Sequence, residues 1–242
     1  MTGISSSSHV PILYEDNHLL VVEKPVNIPS QGDASGDMDL LTLLKEDLRL
    51  RYRKKGNVYL GLVHRLDRPV GGLMVFAKTS KGASRLSEQV RNRTFQKTYL
   101  AVVHGQPAPS AGRLEHYLLK DRRRNMVRVV PHSHPKGKKA ILDYSSLESR
   151  NGFTLVRIGL QTGRSHQIRV QFATIGHPLY GDQKYGAHVN QPGQQIALWS
   201  SELRLIHPTR KEGMHFTSIP SSQAPWNLFS YQGAFSFPEG TD

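Results

Sequence analysis

Asp67 is a lone acid among bases. The run Val63-His64-Arg65-Leu66-Asp67-Arg68-Pro69-Val70-Gly71-Gly72 sets one carboxylate beside His64, Arg65 and Arg68, just ahead of a Gly-Gly turn and the apolar segment Leu73–Ala77. Neighbouring cations keep such a carboxylate ionised even when water is partly removed. In that state it can serve as a nucleophile or a base. Gly71 and Gly72 allow a second backbone or a ligand to approach closely. The plainer alternative is a surface salt bridge from Asp67 to Arg65 or Arg68.

A second constellation is Thr162-Gly163-Arg164-Ser165-His166-Gln167-Ile168-Arg169. A glycine followed by a helix that Ser165 caps would offer backbone N–H groups to an anion. Arg164 and Arg169 lie five positions apart, so on a helix they face different sides. One can then meet an inner acid while the other meets phosphate; a solvated basic helix is the alternative. His166 is open between general base, RNA contact and simple packing. Tyr99, on an expected strand over Lys97–Val103, is either a half-buried core aromatic or a platform on which a base stacks. The loop Lys120-Asp121-Arg122-Arg123-Arg124 has the charge to grip a nucleic-acid backbone.

The whole chain is basic. Its 242 residues carry 32 Lys and Arg against 19 Asp and Glu, a formal net charge of +13, which suggests a nucleic acid or another anionic surface as partner. There is no cysteine, so disulfides, thiolate nucleophiles and zinc–thiolate sites are excluded. The scattered histidines show no zinc spacing, and neither a phosphate loop nor a dinucleotide fingerprint occurs, so no metal and no cofactor is expected. No apolar run approaches the roughly 20 residues that span a bilayer. Residues 1–9 are Ser-rich and read as a disordered leader, not a signal peptide, which makes the cytoplasm the expected location.

The elements that must position these residues follow from periodicity. Val10–Tyr14 and His18–Lys24 flank Glu15-Asp16-Asn17 as a hairpin. Leu40, Leu41, Leu44 and Leu48 recur at helical spacing, with Asp37 or Asp39 as cap. The basic run Arg51–Lys55 then ends the helix, as a solvated end or an RNA contact. Strands are predicted near Tyr59–Val63 and over Leu73–Ala77. Thr79 or Ser80 caps a helix carrying Ala83, Leu86 and Val90. Four antiparallel strands are predicted over Leu114–Leu119, Val127–Val130, Ala140–Glu148 and Phe153–Leu160. Ser165 caps a helix carrying Ile168, Phe172 and Ile175. Two short strands follow at Ile196–Trp199 and Leu203–Ile206. Residues 220–242 form a tail whose aromatics pin it to the body. The fold class is α+β, a mixed, largely antiparallel central sheet with flanking helices, built as one domain over residues 10–219.

Taken together, these motifs resemble the RluA family of RNA pseudouridine synthases. The likeness runs over residues 10–217, from Ile12-Leu13-Tyr14-Glu15-Asp16 and Val21-Val22-Glu23-Lys24-Pro25, through His64-Arg65-Leu66-Asp67, Lys97-Thr98-Tyr99-Leu100-Ala101 and Gly163–Arg169, to Gly176-His177-Pro178-Leu179-Tyr180-Gly181-Asp182. The resemblance implies the pseudouridine-synthase fold and isomerisation of uridine in structured rRNA or tRNA, without metal or cofactor. Asp67 would be the catalytic carboxylate, and Arg169 would hold it ionised and aimed. Tyr99 would pack on the target base and is a candidate proton acceptor. Leu198 would line the uracil pocket. His64, Arg65, Arg164, His166, Arg122, Arg123 and Arg124 complete the expected RNA contacts. The family often follows its Asp with x-x-Thr-Ser-Gly, and its later Leu-His-Ala is Leu198-Trp199-Ser200 here. Many relatives carry an S4-type RNA-binding module ahead of the catalytic domain; this chain begins almost at that domain. A monomer is expected. The competing reading is a catalytically silent RNA binder on the same scaffold, which would give no reason to keep an acid in a basic groove.

Overall fold

The computed structural model describes residues 10–231 and 233–235. The expected leader, residues 1–9, lies outside the described residues, as does Phe237 of the tail. The described residues hold one sheet of eleven strands. Across it run β1 (Ile12–Glu15), β2 (Leu19–Lys24), β4 (Gly71–Ala77), β10 (Leu198–Ile206), β5 (Gln96–His104), β9 (Phe153–Leu160), β8 (Lys138–Arg150), β6 (Ala111–Asp121) and β7 (Met126–Val130). The short β3 (Gly61–Leu62) adds to β4, and β11 (Gly213–Thr217) adds to β10. The β4–β10 pairing is parallel and the others are antiparallel, so the sheet is mixed and largely antiparallel, as predicted.

Strand periodicity sorts side chains onto two faces. One face carries Leu20, Val22, Met74, Phe76, Ala101 and Val103, under the leucines of α1 (Leu40–Arg51) and the Ile168 and Phe172 of α3 (Gln167–Thr174). The other face splits in two. Leu19, Val21, Leu73 and Val75 pack on Leu86 of α2 (Ser80–Arg91), while Leu100, Val102 and Trp199 pack on Trp226, Phe229 and Ala234 near the C-terminus. Asp39 caps α1 by accepting from Thr42 N–H, and Thr79 caps α2 by accepting from Gly82 N–H. The basic end of α1 is tied to nearby acids: Arg49 to Glu46 and Arg51 to Asp47 on the helix itself, and Arg51 also to Glu15 at the end of β1.

Three expectations are corrected, and one strand is added. The strand predicted near Tyr59–Val63 is only Gly61–Leu62, because the His64 ring takes over Val75 N–H, with Nε2 accepting at 3.0 Å. The two strands predicted at Ile196–Trp199 and Leu203–Ile206 are the single strand β10, with a bulge between Ser200 and Glu202. Ser200-Ser201-Glu202 breaks the apolar pattern, yet all three are buried, with Glu202 paired to Arg157, Arg204 and His215. Strand β11 was not predicted: Met214 and Phe216 do alternate with exposed residues along it, but two apolar positions in five residues are a short signal. Ser165 does not cap α3. His166 does, in the left-handed conformation at φ 50° and without a side-chain cap bond.

Candidate active site

Asp67 lies in the loop between β3 and β4, on the wall of a cavity of about 1390 Å³. Its carboxylate is 29% exposed, so it is neither sealed nor out on open surface. Arg169, in the first turn of α3, reaches it from below, with Nη1 donating to Asp67 Oδ2 at 3.3 Å. The alternative of a surface salt bridge to Arg65 or Arg68 is not what forms: Arg68 pairs with Asp37 instead. Arg169 is itself buried, and its other two donors go to Asp182, Nε to Oδ2 at 2.8 Å and Nη2 to Oδ1 at 2.7 Å. One guanidinium thus bridges two carboxylates, one closed and one open to the cavity. Burial and these hydrogen bonds act oppositely on Asp182, and the bonds win, holding its carboxyl below the usual range.

The left-handed turn at His166 aims its ring at the same place. His166 Nε2 is 3.8 Å from Asp67 Oδ2, and Nδ1 is 2.7 Å from the hydroxyl of Tyr185. That hydroxyl accepts the N–H of Val127 at 2.8 Å. The Tyr185 hydroxyl thus bridges the His166 ring and the β7 backbone, which fixes the orientation of the imidazole beside Asp67. Burial pushes the His166 pKa down, against the pull of Asp67, so the neutral ring is favoured.

Tyr99 and Leu198 are both buried and both line the cavity. Burial, and then the charge of Asp67, push the Tyr99 phenol upward, so it stays protonated in the resting site. Arg65 is exposed at the cavity wall and has no hydrogen-bond or ion-pair partner among the described residues. Arg164 is exposed at the rim, where Nε donates to the carbonyl of Lys139 and its backbone N–H is taken by Gln167 Oε1. The open N–H that the Gly-Arg-Ser turn was expected to offer an anion is therefore used internally at that position. His64 is propped against Phe95, and burial pushes its pKa down to about 3, so it is a neutral backbone brace. Arg122, Arg123 and Arg124 sit at the exposed tip between β6 and β7, beyond the cavity wall, which Lys120 and Asn125 reach.

Three groups escaped the sequence reading. Lys24 is fully buried and donates to the carbonyls of Pro25, Ile28 and Arg68 at 2.8, 2.7 and 3.0 Å. It therefore ties the Asp67 loop to the end of β2. Burial drives its pKa down to about 7, while Asp67 and the three carbonyls favour the ammonium. Asp182 and Tyr185 come from the loop after α3. Lys24 and Asp182 stand inside motif runs, Glu23-Lys24-Pro25 and Gly181-Asp182; nothing local in either run shows a partner.

The two departures from the family pattern meet each other. Gly71 and Trp199 are register partners on β4 and β10, and a Cβ at 71 would overlap the Trp199 ring. Gly72, at φ 106°, leaves no room beside the Ser200 backbone for any side chain. A larger indole on one strand is matched by a missing side chain on the other.

The architecture sets one acid on the wall of a cavity lined by basic side chains. The fold matches a human structure titled RNA Pseudouridylate Synthase Domain Containing 1, with TM-score 0.72 and 23% identity over 93% of this chain and 88% of that one. Residues 18–174 match the RNA pseudouridylate synthase family. The chain is 32% identical over 212 residues to the uncharacterized RNA pseudouridine synthase YhcT of Bacillus subtilis, covering 86% of this chain and 68% of that protein. It is 33% identical over 221 residues to ribosomal large subunit pseudouridine synthase C of Vibrio vulnificus, covering 88% and 66%. The chain spans about two thirds of the length of these relatives. It belongs to the RNA pseudouridylate synthase family, and its reaction is the isomerisation of uridine to pseudouridine in RNA.

Proposed function

We propose that Asp67 starts this isomerisation on a uridine turned out of its RNA stack into the cavity. One observation carries the reading: a partly open carboxylate, ion-paired at 3.3 Å to a buried guanidinium, on the wall of a cavity that Tyr99 and Leu198 also line. Turning a nucleotide out costs a few kcal/mol, and phosphate contacts to the cationic rim offset it. Arg65, unpartnered beside Asp67, fills the space the base leaves. Asp67 then attacks C1′ or C6, or promotes elimination of uracil. The N1–C1′ bond breaks, the base turns, C5 bonds to C1′ as any bond to Asp67 is released, and the proton lost from C5 to solvent is matched by one gained at N1, so that product is an isomer of substrate. Detached uracil must be retained, which is the work of the apolar walls. A protonated Tyr99 fits packing on the base better than accepting its proton.

The names of the ribosomal large-subunit relatives support rRNA over tRNA as substrate. The chain acts as a monomer, with residues 10–219 as the catalytic domain and the tail from residue 220 packed on it. Among the described residues no helix is long and apolar enough to cross a membrane, and the cytoplasm is the proposed site of action. Release of tritium from RNA labelled at uridine C5 tests the activity. Asp67→Asn should lower release by more than about 10⁴-fold while leaving RNA affinity near wild type. Substantial turnover by that variant removes Asp67 from the mechanism.

A further inference from the structure

The run Gly176–Asp182 has no part in the mechanism above, yet its last residue holds Arg169 with two hydrogen bonds, at 2.8 and 2.7 Å. We propose that Asp182 is a positioning residue: its buried carboxylate fixes the Arg169 guanidinium in the one orientation that aims Nη1 at Asp67. The inference rests on Asp67 being the reacting carboxylate.

The geometry carries it. Arg169 has one fork, Nε with Nη2, engaged by both oxygens of Asp182, which leaves Nη1 for Asp67. A bidentate pair fixes the guanidinium plane as well as its place. The longer contact, at 3.3 Å, is the one to the acid that must react, and the shorter two, at 2.8 and 2.7 Å, are to the acid that need not. Asp182 is in turn held by the N–H groups of Lys184 and Tyr185, at 2.9 and 3.2 Å. The Tyr185 ring covers the Arg169 guanidinium at 5.3 Å, closing the side that Asp182 leaves open. Asp182 is also completely shut off from the cavity, its side chain 0% exposed, so it cannot touch RNA. A plain anchor for α3 would need no charge; an anchor that neutralises and orients an arginine shared with Asp67 does.

Asp182→Asn keeps the size and removes the charge and one acceptor. The single-turnover rate at saturating RNA should fall about 10- to 100-fold, the scale of a small misplacement of reacting groups, with RNA Kd unchanged. The decisive measurement is a cycle with Arg169→Met. If Asp182 acts through Arg169, adding Asp182→Asn to Arg169→Met lowers the rate no further, and it raises Tm by removing an unpaired buried charge. A wild-type rate for Asp182→Asn, or a further drop in the double variant, overturns the proposal. Should Asp182→Asn alone not fold, the comparison of Arg169→Met with the double variant still decides. Asp67→Asn, run alongside, separates the two ideas: an active Asp67→Asn defeats the mechanism, whereas an inactive Asp67→Asn with an active Asp182→Asn defeats this inference alone.

Discussion

The cations beneath Asp67 and those on the β6–β7 hairpin share a sign and little else. Arg169 and Lys24 are buried, and every donor that Lys24 can aim finds a carbonyl. Arg122, Arg123 and Arg124 are exposed, and their guanidiniums have no hydrogen-bond or ion-pair partner among the described residues. The nearby Asp121 is spent on the turn itself, accepting the N–H groups of Arg123 and Arg124 at 2.9 and 3.1 Å. Buried and paired, a cation gives direction at a high desolvation cost. Exposed and unpaired, it gives reach, and salt weakens it. The floor of the cavity is thus built to aim one carboxylate, and the hairpin to collect phosphates. The hairpin is not independent of the floor, since Val127 N–H and the Asn125 carbonyl engage Tyr185 and Lys184 of the loop that holds Arg169.

That contrast breaks most sharply at the wall where β4 meets β10. Gly71→Ser puts atoms where the Trp199 ring already is, and overpacking of this kind costs about 1–3 kcal/mol or somewhat more. Trp199→His alone also destabilises, because it empties buried space and removes the indole N–H bond to Ser218 at 3.0 Å. The double variant puts back the Ser and His that the resemblance implies at these positions and should recover the overpacking loss of Gly71→Ser, so that its total loss is smaller than the sum of the two. Chemical denaturation of the four proteins measures the coupling; additive losses would show that the two departures are unrelated.

The hairpin answers differently. Replacing Arg122, Arg123 and Arg124 by Ala should weaken RNA binding about 10- to 100-fold and flatten the slope of log K against log salt by up to about 0.7–0.9 for each phosphate that is no longer neutralised. The effect should fall on Kd, with the single-turnover rate at saturating RNA changed less than about threefold. An unchanged salt slope would take these arginines out of the interface and leave Lys120 and Arg164 at the rim to do that work.

The same division explains what was legible in the sequence. Most strand and helix positions followed from periodicity, whereas the pairing of Asp67 with Arg169 across 102 positions was implied only by the family resemblance that the motifs and their order carry. The exposed hairpin was legible as well, since three consecutive arginines declare themselves. What stayed hidden was the layer that fixes the floor. Lys24 looks like a strand-end surface lysine until Arg68, 44 positions on, lends it a carbonyl. Asp182 looks like a turn residue until α3 brings Arg169 back to it. The expectation for Ser165 failed because the chain enters α3 through a left-handed turn at His166, whose ring contacts Tyr185, 19 positions on, at 2.7 Å. Buried polar contacts between distant segments have no period, so pattern reading passes over them.

His64 joins the two regions in the smallest and most specific test. Its ring stands beside Asp67 in sequence, as an RNA contact would, but it works as a neutral brace for Val75 N–H. Burial lowers its pKa from the ordinary 6.5 to about 3 in the folded protein. The unfolded chain therefore binds the extra proton first as the pH falls, and stability rises with pH across that interval. The contribution of His64 is fully present above about pH 6.5 and drains away as the pH drops toward 3. His64→Gln keeps an acceptor for Val75 N–H but does not titrate. The difference in Tm between wild type and His64→Gln should hence be constant from pH 7 to 8 and shift steadily in favour of the variant below about pH 6.5. Parallel Tm curves from pH 7 down to 4 would mean that the ring is solvated and charged in the folded state, and that it faces RNA after all.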